Sequence, residues 1–127
     1  MQKGKIIPNG VYLEKHEYDT ILFLTELGFD IELVPKSNIM GVHSPDIKIN
    51  QDLWEIKSPK GEGKSLMKNT LQRGARQSQN IIVDLKRAKR FQDKCLVELE
   101  KEFYISKHLK KMKVITKSRK ILDFIKK

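Results

Sequence analysis

One short apolar run, Asn-Ile-Ile-Val-Asp-Leu at residues 80–85, constrains the fold more than any other feature. Its length and its β-branched content are those expected of a strand buried in the middle of a sheet. Apolar residues recur at helical spacing on both sides of it, over residues 65–79 before it and from about residue 86 into the hundreds after it. The pattern therefore predicts an α/β fold with this strand in the middle of the sheet.

The first half of the chain predicts one helix and three strands. Helical periodicity runs over residues 11–27, and Gly28 is a natural C-cap. Residues 29–34 form a predicted strand that Pro35 stops, and residues 46–49 and 53–58 form two more around a turn-prone Asn50-Gln51-Asp52. The predicted order of elements is helix, three strands, helix, strand, helix.

The composition of the chain and the absence of repeats and linkers favour a single folding unit. Of the 127 residues, 39% are hydrophobic and 33% charged, which is too apolar and too regularly patterned for a disordered chain. No repeat or flexible linker divides the sequence. We therefore expect one domain over residues 1–127, with an α/β core at about 11–90 and a basic helical part at 91–127. The inner stripe of its long helix is predicted to be Ala88, Phe91, Cys95, Leu99 and Phe103.

Charge is divided unevenly along the chain. Residues 1–63 carry seven Lys or Arg against ten Asp or Glu, whereas residues 64–127 carry 19 against six. The net charge of +10 therefore arises entirely in the second half, and it points to a polyanionic partner such as nucleic acid.

Several other classes of protein are disfavoured. Cys95 is the only cysteine, so no intramolecular disulfide can form and a cytoplasmic site of action is expected. The polar opening is not a signal peptide, and no apolar run approaches the roughly 18 residues of a membrane span. Ser58 stands where the first glycine of a P-loop belongs, so the Gly63-Lys64-Ser65 sequence does not predict nucleotide hydrolysis.

The predicted hairpin brings two carboxylates together. With a tight turn at Asn50-Gln51, residues whose numbers sum to 101 face each other, so Asp46 lies opposite Glu55. Their Cβ atoms would be about 5 Å apart. Two carboxylates so close repel each other unless a cation sits between them, and Mg²⁺ binds such paired oxygens. The hairpin therefore predicts a metal site, with Mg²⁺ favoured and Mn²⁺ or Zn²⁺ as alternatives.

A lysine accompanies the two acids. Strand alternation puts Lys57 on the face of Glu55, while Trp54 and Ile56 point to the other, buried side. Lys57 could hold the attacking water or stabilise charge that grows on an attacked phosphate. The alternative is a solvated hairpin whose charged side chains form cross-strand salt bridges only.

The first helix supplies one more acidic residue. Helical phasing at 100° per residue places Glu17 on the apolar stripe, between Leu24 and Ile21, with Glu14 close by. A carboxylate on an apolar stripe needs a partner, and a metal at the adjacent sheet edge would be one. The alternative is that both glutamates lie near the helix N-terminus because the helix dipole favours acids there.

These residues carry a resemblance. Ser44-Pro45-Asp46, followed after eight residues by Glu55-Ile56-Lys57, resembles the signature of the PD-(D/E)XK nuclease superfamily. Further segments resemble the C-terminal nuclease domains of contact-dependent growth inhibition toxins: His16-Glu17, residues 28–31, residues 54–59 and residues 77–85. The similarity covers roughly residues 14–90.

The resemblance implies a fold and a set of roles. The fold would be a restriction-endonuclease-like α/β core, a mixed sheet of about four strands flanked by helices. Asp46 and Glu55 would be metal ligands, Lys57 the catalytic lysine, and Glu17 the helix carboxylate that completes the site. Members similar to this chain often cut tRNA, while others cut DNA, so the resemblance favours RNA.

Basic residues that follow the predicted active-site strand are candidates for binding phosphate. Lys and Arg contacts to phosphate give sequence-independent, salt-sensitive affinity. Gln77, one turn beyond Arg73, could reach the same phosphate or the attacking water. The predicted nucleic-acid-binding residues are Lys60, Lys64, Arg73, Arg76 and Gln77.

Two other functions fit the same residues. A ribonuclease could use the 2′-hydroxyl of the RNA itself, with lysine as the catalytic group and little need for metal. A non-catalytic, basic accessory protein could bind nucleic acid without cutting it. A toxin role would predict delivery from another cell and an acidic immunity protein as partner, by analogy only.

Overall fold

The structure is a computed structural model that describes residues 2–37, 39–40 and 44–126. Over these residues the chain forms seven strands, three α-helices and one turn of 3₁₀ helix at Leu85–Arg87. The elements are β1 (Ile6–Ile7), α1 (Lys15–Glu26), β2 (Ile31–Leu33), β3 (Ile47–Ile49), β4 (Asp52–Lys57), α2 (Leu66–Ala75), β5 (Asn80–Asp84), α3 (Gln92–Ile105), β6 (Lys111–Ile115) and β7 (Ile121–Ile125).

The strands form one mixed sheet whose spatial order follows the chain from β1 to β7. The pairs β1–β2, β4–β5 and β5–β6 are parallel, and the other three pairs are antiparallel. The α/β class and the mixed, helix-flanked sheet are confirmed. The expected number of about four strands is wrong, because β1, β6 and β7 extend the sheet at both ends.

Two apolar clusters cover the two faces of the sheet. One contains Ile21 and Leu24 of α1, and the other contains Leu71 of α2 and Leu99 of α3. Strand β5 contributes to both, since Ile82 packs on the α1 side while Ile81 and Val83 pack on the side of α2 and α3. Burial on both faces explains why this strand is apolar throughout, and its predicted position in mid-sheet is confirmed.

The β3–β4 hairpin has the predicted register. Ile47 pairs with Trp54 and Ile49 with Asp52, so the paired residue numbers sum to 101. Asn50 and Gln51 both have positive φ, 48° and 77°. Positive φ at both central residues is typical of a type I′ turn, whose twist matches that of the flanking strands. The turn therefore determines which residues of the two strands face each other.

The helix boundaries differ in part from the expectation. Helix α1 begins at Lys15 rather than near residue 11, and it ends as predicted, with Gly28 at φ 98° directly after the C-cap residue Leu27. Helix α3 begins at Gln92 rather than near residue 86, because a 3₁₀ turn follows β5. Cys95, Leu99 and Phe103 are buried as predicted, but Phe91 is 78% exposed because it precedes the helix.

The expected helical part at residues 91–127 is helical only as far as Ile105. Beyond it, β6 and β7 form a hairpin at the end of the sheet. Met112 and Val114 alternate with lysines along β6 and are fully buried, which is the period-two pattern of a strand. The pattern is short, and the dense lysines around it obscure it in the sequence.

A buried ion pair ties three elements together next to the sheet. Asp84, only 1% exposed, accepts hydrogen bonds from Arg119 Nη1 at 2.8 Å and from Thr20 Oγ1 at 2.7 Å. Burial alone would raise the pKa of Asp84, but these bonds and the backbone N–H of Lys86 hold that pKa below its usual value. The network joins α1, the end of β5 and the β6–β7 turn.

Asp84→Ala should lower the free energy of unfolding by about 3 kcal/mol, because it leaves a half-buried guanidinium and a buried hydroxyl without their acceptor. Urea denaturation measures the change. Asp123→Ala is the matched control, because that carboxylate is 53% exposed and also pairs with a lysine. It should cost less than about 1 kcal/mol. Equal losses for the two variants would contradict the structural role of Asp84.

Candidate functional site

A cleft of about 550 Å³ opens where the N-terminus of α1 and the end of β4 meet α2. Its lining includes all four predicted catalytic residues: Glu17, Asp46, Glu55 and Lys57. Three of the predicted nucleic-acid-binding residues also line it: Lys60, Arg73 and Gln77. The cleft thus gathers side chains from β4, from α1 and α2, from the 3₁₀ turn and from the connections before β3 and after β4.

Asp46 is held in place by the backbone of β4. Its N–H donates to Trp54 O at 3.0 Å, and its Oδ2 accepts from the Ile56 N–H at 2.8 Å. The side chain is 6% exposed. Asp46 directly precedes β3 and lies beside Glu55 in the cleft, as the sequence predicts. A carboxylate anchored by a backbone N–H keeps its second oxygen oriented for another ligand.

Glu55 is buried and only partly satisfied. Its side chain is 4% exposed, and its Oε2 lies 3.4 Å from Lys57 Nζ. Its Oε1 has no hydrogen-bond partner among the residues that the structure describes. Burial, and next the charge of Asp46, raise the pKa of Glu55 to about 7 against the opposing effect of Lys57 and Lys36. Burial therefore disfavours the charged form of Glu55, and a further cation beside Oε1 would stabilise it.

Lys57 lies at the end of β4 on the same face as Glu55, and its side chain is 26% exposed. Helix α2 passes close to the sheet at Gly74, where an added Cβ would lie 2.2 Å from Ile81 Cδ1 of β5 and 3.8 Å from Lys57 Cγ. The absence of a side chain at Gly74 therefore lets α2 approach the sheet and form one wall of the cleft beside the lysine.

Glu17 lines the cleft but also has a structural role. Its Oε1 accepts the Glu14 N–H at 3.1 Å, and the two residues form a capping box at the start of α1. In the described part of the chain, ligand atoms of Glu14, His16 and Glu17 lie within 4.8 Å of one another, whereas Glu17 forms no such group with Asp46 and Glu55. Glu17 therefore caps α1 and lines the cleft at the same time.

The predicted phosphate-binding residues divide into two sets. Lys60, Arg73 and Gln77 line the cleft, whereas Lys64 and Arg76 do not. Arg76 is the C-cap residue of α2 and lines a separate groove with His108. Gln77 follows Arg73 by one turn, just beyond the end of α2, and Lys64 precedes the start of this helix.

Two cationic residues of the cleft do not stand out in the sequence. Lys36 Nζ lies 2.6 Å from Asp46 Oδ1. Arg87 donates from Nη2 to Ser58 O at 2.6 Å and from Nε to Ser58 Oγ at 3.2 Å, which holds the chain directly after Lys57. Neither belongs to a local motif, and only the tertiary fold brings them to the site.

The donor set of the cleft fits a divalent metal ion. Asp46 and Glu55 offer carboxylate oxygens, which are the ligands that Mg²⁺ and Mn²⁺ prefer, and the unpartnered Glu55 Oε1 lies at the same place. The fold and cleft together define a mixed α/β protein with two buried, adjacent carboxylates and a lysine in a cleft that also contains several basic residues.

Comparison with known proteins places this chain in a family. The family model described as the contact-dependent growth inhibition CdiA C-terminal domain matches residues 43–121, which is more than half of the chain. The chain therefore belongs to the CdiA C-terminal toxin domain family, and its predicted resemblance to these toxins is confirmed. No curated protein matches the chain.

A solved structure has the same fold. The chain is similar to one in a CdiA-CT/CdiI toxin and immunity complex from Burkholderia pseudomallei, with a TM-score of 0.70 and 18% sequence identity. The match covers 97% of this chain and 100% of that one. At this identity the likeness supports the fold alone. Within its described residues, the chain has no helix that is both long and apolar enough to cross a membrane.

The raised pKa of Glu55 predicts a pH dependence of stability. The folded state holds the proton up to about pH 7, whereas the unfolded state releases it near 4.5, so stability falls as pH rises between these values. Without divalent metal, the wild type should lose about 2 kcal/mol relative to Glu55→Gln from pH 5 to pH 8.

Urea denaturation at a series of pH values, with a chelator present, measures this difference. Glu100→Gln is the control, because it changes the same functional group at an exposed position of α3, outside the cleft lining. Parallel stability curves for the wild type and Glu55→Gln would show that burial does not destabilise the Glu55 carboxylate.

Proposed function

We propose that this chain is a metal-dependent nuclease of the PD-(D/E)XK type that hydrolyses phosphodiester bonds, with RNA, in particular tRNA, favoured over DNA. The observation that carries the proposal is the group formed by Asp46, Glu55 and Lys57, in which two buried carboxylates and an amine meet at the wall of one cleft. Membership of a toxin family supports an activity that harms a cell.

In this proposal Asp46 and Glu55 hold a divalent ion, Mg²⁺ by preference, and Glu17 completes the site. The ion supplies Lewis-acid stabilisation of the attacked phosphate and makes a water nucleophilic at neutral pH. The Ile56 N–H orients Asp46 for this purpose, and the body of the sheet excludes solvent from Glu55. These contacts provide the rigid support that a metal site needs.

Lys57 then acts on the substrate. Its ammonium lies next to the carboxylate pair and is partly exposed to the cleft, so it can stabilise the negative charge that develops on an attacked phosphate. Its ion pair with Glu55 keeps it at this position. This role requires the positive charge of Lys57, so an uncharged side chain of similar size would not stabilise the phosphate.

The walls of the cleft favour a polyanion. Lys60 and Arg73 line it along with Gln77, and Arg87 supports the chain at Ser58. Basic side chains beside the carboxylates would bind phosphates that flank the scissile one. These contacts read no base, so they do not distinguish one nucleic acid from another, and the preference for RNA rests on the resemblance alone.

The biological setting follows the family description. We propose that the domain acts in the cytoplasm of a cell after delivery from another cell, and that an acidic immunity protein neutralises it. The Burkholderia complex pairs a toxin with an immunity protein. The net charge of +10 would favour rapid association with an acidic partner.

Lys57→Ala should reduce cleavage of tRNA at least about 100-fold, because it removes a charge that acts at the reacting phosphate. Purified protein is incubated with tRNA or with plasmid DNA, with Mg²⁺ or with a chelator, and products are resolved on gels. Lys101→Ala is the control, since Lys101 is exposed on α3. This variant should cleave tRNA as the wild type does.

Three outcomes of this experiment separate the readings. Cleavage that needs Mg²⁺ and Lys57 supports the proposal. Cleavage that persists in chelator but needs Lys57 favours the 2′-hydroxyl route. Intact substrates with every metal tested, in the presence of tight binding, would instead support the non-catalytic accessory protein.

Arg73 and Arg76 form a matched pair for testing the cleft as the binding surface, because both are exposed on the same helix and only Arg73 lines the cleft. In a Lys57→Ala background, Arg73→Ala should weaken RNA binding. It should also reduce the slope of log affinity against log salt concentration by the amount expected for about one phosphate contact. Arg76→Ala should change the affinity and this slope much less.

Fluorescence anisotropy over a series of salt concentrations gives the two affinities and their slopes. Equal effects of the two substitutions would mean that the RNA follows a different surface.

A further inference from the structure

The Lys36–Asp46 contact involves the carboxylate that the proposed function assigns to the metal. Asp46 has two side-chain oxygens, and the backbone N–H of Ile56 occupies Oδ2 at 2.8 Å. Lys36 Nζ lies 2.6 Å from the other, Oδ1. The one carboxylate oxygen of Asp46 that the backbone leaves available is therefore bound by an ammonium group.

Lys36 is also near the rest of the acidic site. Its side chain lines the same cleft as Glu17, Asp46 and Glu55. The ammonium is a monovalent cation in direct contact with one of these three carboxylates. It supplies part of the charge that a divalent ion would supply.

The position of Lys36 in the fold allows it to leave. It lies in the connection between β2 and β3, and its side chain is 56% exposed, whereas that of Asp46 is 6% exposed. Its other contact, to Ser44 O, is long at 3.4 Å. A flexible, exposed lysine can swing away without disturbing the sheet, while Asp46 stays fixed by the backbone.

We propose that Lys36 is a resident counter-ion that competes with the divalent metal for Asp46 Oδ1, and so sets the metal affinity of the site. This inference rests on the proposed function, since it requires that Asp46 and Glu55 bind the metal. Binding of the ion exchanges one cation for another, because Lys36 must release Oδ1 before the oxygen can coordinate.

The proposal predicts that replacing Lys36 strengthens metal binding, whereas a substitution that disrupts the site would weaken it. Lys36→Met keeps the length and apolar stem of the side chain but removes the charge, so Mn²⁺ should bind at least about threefold more tightly than to the wild type. A residue that merely supports the site would weaken metal binding when it is replaced. Lys36→Gln should behave as Lys36→Met does.

Isothermal titration calorimetry with Mn²⁺ in a low-salt buffer gives the affinities. Lys101→Met is the control for the loss of one positive charge, and it should bind Mn²⁺ as the wild type does. The rise in Tm at a fixed Mn²⁺ concentration is a second readout, and it should be larger for Lys36→Met than for the wild type.

The outcomes separate this inference from the proposed function. If the wild type binds Mn²⁺ and Lys36→Met binds it equally or less tightly, the counter-ion role is wrong and the metal site stands. The same holds if Lys36→Met changes only the affinity for RNA, since Lys36 is then a phosphate contact. If none of the proteins binds Mn²⁺, the proposed metal site and this inference both fail.

Discussion

The hydrogen bond from the Ile56 N–H to Asp46 Oδ2 is the interaction on which the site depends. It fixes one carboxylate beside a second, Glu55, at a position where solvent cannot separate their charges. The cost of that arrangement appears in the pKa of Glu55, which burial and the charge of Asp46 raise to about 7. Cations at this place stabilise the pair, and the cleft provides Lys36 beside Asp46 and Lys57 beside Glu55.

The hairpin that positions these groups was predictable from the sequence because its determinants are local. Asn50 and Gln51 accept positive φ, and a two-residue turn leaves one register in which Trp54 and Ile56 are both buried. The register then places Asp46 beside Glu55, and strand alternation places Lys57 on the same face. The buried strand β5 was predictable for a similar reason, since its apolar run reflects burial on both faces.

Other parts depend on contacts between distant residues. Lys36 and Arg87 reach the site across 10 and 29 residues of chain, and no local pattern marks either one. Strand β1 has only two residues, and only its pairing with the distant strand β2 defines it. At the other end of the sheet, the lysines of β6 obscure its alternation, so that the region was expected to be helical. The partial exposure of these strands gives them a weaker sequence signal than that of the central strand.

The central claim is that Asp46 and Glu55 bind one divalent ion. A crystal grown with Mn²⁺ and measured at a wavelength where manganese scatters anomalously locates the ion directly, without reference to activity. We expect an anomalous peak between these two carboxylates, with Lys36 displaced from Asp46 Oδ1. A peak held instead by Glu14 and His16 at the start of α1, or no peak at the hairpin at saturating Mn²⁺, would contradict the proposed metal site.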